Sequence, residues 1–258
     1  MCLILFAHRV HPRYPLIIAA NRDEFHERET AQAHWWADED ILAGRDLEAG
    51  GTWLGVNRQG AFAAVTNYRD PSVNEPGSPS RGELPVAALR TGSPGEDFAR
   101  RLAEQAPRYN GFNLLFGGRD GIHYVSNRAQ GPRALARGFY GLSNELLETP
   151  WPKVDRGKAL LRPYLEATAA PEPALLLDLL HDRERPDDAH LPDTGIGLEW
   201  ERLLAPMFIV SRRYGTRAST VVTLDDEGLM RFAERTYDWH GDPLGEIHES
   251  FHVAGPGA

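Results

Sequence analysis

The stretch Met1 to Glu24, MCLILFAHRVHPRYPLIIAANRDE, decides the fold. Two apolar runs of strand length, Cys2 to Phe6 and Pro15 to Ala20, flank a turn-like segment from His8 to Tyr14 and predict a β-hairpin at the N-terminus. Cys2 follows the initiator methionine, and a small second residue generally permits removal of that methionine, which makes Cys2 the expected mature N-terminus. A free α-amine with a pKa of about 7.7–8.0 can accept the thiol proton, so one residue would supply both nucleophile and base. The alternative for a lone cysteine in an apolar strand is a small buried hydrophobe, and position two leaves both open.

Outward from the hairpin, Trp53, Leu54 and Val56 lead through Asn57, Arg58, Gln59 and Gly60 into Ala61 to Val65, a second hairpin closed by a glycine. Asp70 to Gly82, dense in Pro, Ser, Gly and Asn, predicts a long surface loop. Helices are expected over Leu84 to Arg90 and Glu96 to Gln105, and short strands over Phe112 to Phe116 and Ile122 to Ser126. Lys153 to Ala167 and Pro173 to Asp182 read as helices, the second with Leu175, Leu176, Leu179 and Leu180 as its core stripe. Arg183 to Leu198 reads as loop. Strands are expected over Met207 to Ser211, Ala218 to Leu224 and Leu229 to Glu234, with Asp225 to Gly228 as the last turn and a frayed tail from Gly255. Hairpins at both ends around a helical middle, with few βαβ alternations, give α+β with antiparallel sheets in one domain spanning 1–258. Two sheets face to face with helices outside suit this length, as does one larger sheet.

The 258 residues are 41% hydrophobic and 25% charged, which excludes collagenous, disordered and coiled-coil classes. A formal charge of −9 opposes nucleic acid as a partner. The single cysteine excludes an intrachain disulfide, and no Cys/His pair has zinc-site spacing, so neither metal nor cofactor is expected. No apolar run approaches the roughly 20 residues that span a bilayer, and no signal-peptide pattern opens the chain. A cytoplasmic protein without an integral membrane segment is the expectation.

Groups that could serve Cys2 are distributed along the chain. Asn21, Arg22, Asp23 and Glu24 follow the second strand as either a solvated exit or part of a site. In a straight strand Arg22 and Asp23 point to opposite faces, so the chain bends or only one of them faces Cys2. Asn67 in TNYR and Asn144 in GLSN carry amides that can donate to an oxyanion, or cap turns. Arg217 stands at a strand entrance, as a site residue or a surface ion pair. The set Trp35, Trp36, Trp53, Trp151, Trp200 and Trp239 supplies either pocket lining or core, and Ser80, Arg81 and Gly82 either an anion contact or a helix start.

Taken together, these motifs resemble the NRDE-motif family: the Asn21 to Glu24 tetrad, GGTWLGV at 50–56, TNYR at 66–69, SRG at 80–82, YNGFNLL at 109–115, GLSN at 141–144 with PWPKV at 150–154, and YGTRASTV at 214–221. The resemblance runs in order over nearly the whole chain. Eukaryotic members of that family are called transport and Golgi organisation proteins. The family is similar to the N-terminal nucleophile hydrolases, so the resemblance implies a four-layer αββα sandwich of two antiparallel sheets. GVNRQGAFAAVTNYRD at 55–70 also looks like a hairpin of the choloylglycine hydrolases, the penicillin V acylases and bile salt hydrolases. That likeness implies Cys2 as nucleophile, Arg22 and Asp23 holding its amine and thiol, Asn67 at the oxyanion site, Asn144 beside the amine or oxyanion, and Arg217 nearby. Those enzymes separate the arginine and aspartate by two residues, whereas Arg22 and Asp23 are adjacent, which leaves the division of roles between Asp23 and Glu24 open.

The expected activity is hydrolysis of a small amide through an acyl-thioester on Cys2, with Asn21, Glu24, Trp53, Tyr68 and Arg81 as substrate contacts. The resemblance also implies an alternative of another class. Eukaryotic relatives are linked to lipid and mitochondrial homeostasis and haem trafficking, so a non-catalytic carrier or chaperone of haem or lipid is the second reading. No Cys-x-x-Cys-His motif or paired histidine spacing supports haem directly.

Overall fold

In a computed structural model that describes residues 2–73 and 75–254, the two N-terminal apolar runs pair as a hairpin, with Cys2 opposite Arg22 and His8 opposite Leu16. The expectations for Met1 and for the tail from Gly255 lie outside the described residues. The strands β1 (Cys2–His8), β2 (Leu16–Phe25), β3 (Thr30–Trp35), β4 (Leu42–Asp46), β5 (Leu54–Val56) and β6 (Phe62–Asn67) come first. Helices α1 (Glu83–Arg90) and α2 (Glu96–Gln105) follow, then β7 (Phe112–Gly118), β8 (Gly121–Ser126), β9 (Arg133–Ala134) and β10 (Gly138–Leu142). The chain continues through α3 (Pro152–Ala167), α4 (Pro173–Leu180) and α5 (Leu198–Leu204), and ends in β11 (Tyr214–Leu224), β12 (Leu229–Tyr237) and β13 (Pro243–His252).

The strands form two antiparallel sheets, one ordered β10-β1-β2-β11-β12-β13 and the other β3-β4-β5-β6-β7-β8-β9. Each is covered on both faces, which is why its central strands are apolar throughout instead of alternating with polar residues. Ile4, Phe6, Ile18, Val222 and Phe232 of the first sheet meet Leu54, Val56, Phe62, Leu115 and Tyr124 of the second between the layers. On its outer face the first sheet packs Leu3, Leu5, Ile17 and Val221 against Val154 and Leu161 of α3 and Leu176, Leu177 and Leu180 of α4. The second sheet turns Ala63, Leu114 and Phe116 to Leu84 and Leu89 of α1 and Leu102 of α2. The result is the four-layer αββα sandwich, of α+β class.

The turns at Gly60 (φ +84°) and Gly228 (φ +85°) use the left-handed backbone that glycine adopts without strain. Four differences from the sequence reading have physical causes. First, β2 does not end at Ala20 but carries the tetrad inside the sheet, with Asn21, Arg22 and Asp23 all buried. Second, Met207 to Ser211 forms no strand, because its peptide groups bond elsewhere: Phe208 N donates to Asp182 O, and Ile209 N donates to Thr216 Oγ1. Third, in α4 the core residues are Leu176, Leu177 and Leu180, whereas Leu175 is exposed. Fourth, β3, β4, β10, β13 and α5 arise where no element was expected: polar residues break the apolar pattern of β3, β13 and α5, while the glycines of β4 (LAGRD) and β10 (GFYGL) break it there; β13 is an edge strand exposed along most of its length.

Candidate functional site

Cys2 is the first residue of β1 and stands half-buried at the end of the sheet, where side chains from both sheets and the 78–82 loop meet. A cleft of about 520 Å³ opens there, and its lining includes Cys2, Arg22, Asp23, Glu24, Trp53, Asn67 and Arg81. Seven of the expected site residues, from five separate places in the sequence, therefore share one cleft. Burial pushes the Cys2 thiol up, as does the nearby Asp23 carboxyl, while Arg22 and the Asp23 backbone N–H pull it down.

Strand alternation places Arg22 and Asp23 on opposite faces, and the structure uses both. Arg22 lies between the sheets, with its guanidinium 4.5 Å from the Trp53 ring centroid and 3.9 Å from Glu24 Oε2. The Asp23 carboxyl turns to the helix layer, where Thr216 Oγ1 donates to Oδ1 at 2.7 Å and Lys153 Nζ stands 3.9 Å from Oδ2. Burial raises the Asp23 carboxyl, and the Lys153 ammonium opposes that rise. Tyr214 Oη donates to the Asp23 carbonyl at 2.8 Å, fixing the backbone of the same residue.

Asn67 ends β6 half-buried on the cleft wall, and its carboxamide makes no hydrogen bond among the described residues. Its carbonyl accepts from Asn144 Nδ2 at 2.9 Å. Ser143 Oγ, next to Asn144, donates to the Cys2 carbonyl at 3.0 Å and so ties the GLSN turn to β1. Asn144 and Tyr68 line an adjoining cavity of about 400 Å³ that shares Asn67, Arg81 and Asn110 with the cleft. Arg81 donates to Gly111 O at 3.2 Å; burial lowers its guanidinium, and Glu24 and Cys2 act to raise it.

Two expected residues stand elsewhere. Asn21 faces the helix layer, where its Nδ2 donates to Leu180 O and Met207 O and its Oδ1 accepts from Ser219 Oγ. Arg217 occupies a β-bulge between Thr216 and Ala218, and its Nη1 donates to the carbonyls of Phe25, His26 and Arg28. It secures the turn that follows the tetrad and does not line the cleft.

Sequence reading missed Lys153, Arg28 and the Arg69–Glu201 pair. Arg28 enters the cleft wall paired to Asp46 at 2.8 Å. Arg69 and Glu201 are buried together at 2.7 Å, and Arg69 also lies over Trp151 at 4.5 Å. One signal was present for Lys153: 26 of the 28 basic residues are arginine, so a lysine inside a motif stands out. Beside the polar cleft a second cavity of about 420 Å³ is lined by Phe25, Ile196, Trp200, Leu204 and Tyr214, and it shares Glu24 and Asn67 with the cleft. No helix among the described residues is long and apolar enough to cross a membrane.

The transport and Golgi organisation 2 family model matches residues 1–239. The chain is 40% identical to the Bos taurus transport and Golgi organization protein 2 homolog over 261 residues, covering 92% of this chain and 93% of that protein. It is 36% identical to the Homo sapiens homolog, with the same coverage of both chains. The Drosophila melanogaster protein is 31% identical and covers 94% of this chain and 95% of its own. Among solved structures, conjugated bile acid hydrolase from Clostridium perfringens has a TM-score of 0.53 at 9% identity, covering 98% of this chain and 92% of that one. That likeness is one of fold, the four-layer sandwich of two antiparallel sheets between helices. On sequence, the chain belongs to the transport and Golgi organisation 2 family.

Proposed function

We propose that this protein is an N-terminal cysteine amidohydrolase. The observation that carries the reading is the convergence of Cys2, Arg22, Asp23, Asn67 and Arg81 on one cleft at the end of β1. With Met1 removed, the Cys2 thiol adds to the amide carbonyl and its proton passes to the α-amine. Asn67, whose carboxamide makes no hydrogen bond among the described residues, donates to the oxyanion. The C–N bond then breaks and the ammonium proton goes to the leaving nitrogen. Water, deprotonated by the same amine, hydrolyses the thioester, releases the acid and restores the thiol. The apolar cavity suits an acyl group that packs against Phe25 and Trp200, and the arginine-lined cleft suits the polar remainder.

The experiment is a screen of N-acyl amides with wild type and Cys2→Ala, paired with intact-mass detection of a Cys2 adduct. Turnover that disappears in Cys2→Ala while the fold is retained supports the reading. Turnover unchanged in that variant ends it.

The apolar cavity also favours a second reading, a carrier of a hydrophobic ligand such as haem or a lipid. Saturable binding at one equivalent, weakened by Trp200→Ala and unaffected by Cys2→Ala, would single out the carrier.

A further inference from the structure

Lys153 sits where stability alone disfavours a lysine. It is the second residue of α3, at the end where the helix dipole is positive. Its side chain is 2% exposed, and its Nζ has no hydrogen-bond partner among the described residues. The other lysine, Lys158, reaches Glu148 nearer the surface. Burial lowers the Lys153 ammonium to about 8, with Asp23 pulling it back up.

The charged and titratable groups that act electrostatically on Lys153 come from four places: Asp23 on β2, Cys2 on β1, Arg69 after β6 and Glu201 on α5. Arg69 and Glu201 answer each other at 2.7 Å. Asp23, 3.9 Å away, and Cys2 remain as the acidic groups that Lys153 serves. A buried ion pair whose charged atoms stand 3.9 Å apart is weak support for stability, so its place beside Cys2 is the more informative fact.

Resting on the nucleophile reading of Cys2, we propose that Lys153 is a positioning residue: its buried ammonium neutralises the Asp23 carboxylate, so that the Cys2 thiol ionises without net negative charge behind it. The pair would set the reactivity of the thiol from the helix side, opposite the cleft.

Cys2 is the only thiol, so iodoacetamide labelling of the full chain reads it directly. Intact mass against time across pH gives the midpoint for wild type, Lys153→Met, Asp23→Asn and the double variant. In Lys153→Met, alkylation at neutral pH slows about ten-fold and the midpoint rises by about one pH unit. Asp23→Asn, which leaves the ammonium unopposed, alkylates faster than wild type. The double variant, which removes both charges together, returns to within about three-fold of wild type. If Lys153→Met does not fold, the comparison of Asp23→Asn with the double variant decides, because removing Lys153 must slow the reaction there. Equal midpoints in all folded variants, with only thermal stability changed, would overturn the proposal. An amide screen without turnover beside this labelling pattern would instead sink the hydrolase reading and leave the Lys153 coupling standing.

Discussion

The Arg22 guanidinium lies 4.5 Å from the centroid of the Trp53 ring, so a side chain of β2 closes against the residue that leads into β5 of the other sheet, and both line the cleft. Arg22 is buried, and its Nη1 has no hydrogen-bond partner among the described residues, which makes the aromatic face a main compensation for its charge. The Trp53 ring in turn rests on Gly44 of β4, where a Cβ would collide with it. Gly44→Ala is expected to displace the indole and cost about 1–3 kcal/mol through overpacking. Trp53→Ala should cost about 3 kcal/mol by combining lost packing with a less compensated guanidinium. Urea denaturation checks both values, and stability unchanged in Trp53→Ala would show that Arg22 is compensated elsewhere.

Asn67→Ala separates catalysis from stability. Because the carboxamide makes no hydrogen bond among the described residues, unfolding should change by no more than about 0.5 kcal/mol. Amide turnover should fall by about 10²–10³ as one oxyanion donor is lost. Single-turnover kinetics on an amide found by screening is the measurement, and an unchanged kcat would remove Asn67 from the oxyanion site.

Glu234, on β12, is 1% exposed; its Oε1 accepts from Ala33 N at 2.7 Å and its Oε2 from Thr220 Oγ1 at 3.2 Å. It lines a cavity of about 140 Å³ with Arg22, Gln32, Trp53 and Tyr237. Burial raises its carboxyl to about 7, so the unfolded chain ionises in the usual glutamate range while the folded chain holds its proton. The unfolded state then binds fewer protons, and stability from this group falls as pH rises from about 4.5 to about 7 and stays flat above that. The expected loss across the window is on the order of 3 kcal/mol. In Glu234→Gln, thermal melts between pH 5 and 8 should show a smaller decline than wild type, and identical slopes would refute the assignment.

The Arg69–Glu201 pair ties α5 to the segment after β6, and Glu201 Oε1 also accepts from Thr194 N at 2.9 Å. Glu201→Leu removes one member of a buried ion pair and should cost about 3–5 kcal/mol. The loss should change little between low and high salt, because the pair is shielded from solvent. A cost below about 1 kcal/mol, of the size seen for exposed pairs, would mean that Arg69 relies on Trp151 instead.

The parts of the fold legible in the sequence were those with a local cause. The N-terminal hairpin, the glycine turns at Gly60 and Gly228, and the helix over Glu96 to Gln105 follow from apolar runs, positive-φ demands and periodicity. The strands β3 and β13 were not legible, because their residues are largely polar and what recruits them is backbone pairing to a neighbouring strand. Leu175 and Leu177 exchanged places relative to the expected stripe, since α4 presents whichever face meets β2 and β11.

For the site, the sequence by itself determined the cysteine at position two and the Asn21 to Glu24 tetrad, and it narrowed Arg22 and Asp23 to a bend or to opposite faces of a strand. Only the tertiary structure decided which distant groups join them. It brought Asn67 and Arg81 into the cleft, turned Asn21 to the helix layer, spent Arg217 on three carbonyls and set Lys153 beside Asp23. The reason is physical: side-chain direction along a strand is a local property of the chain, whereas the meeting of β2, β6 and α3 depends on how sheets and helices stack, which is set by burial summed over the whole core.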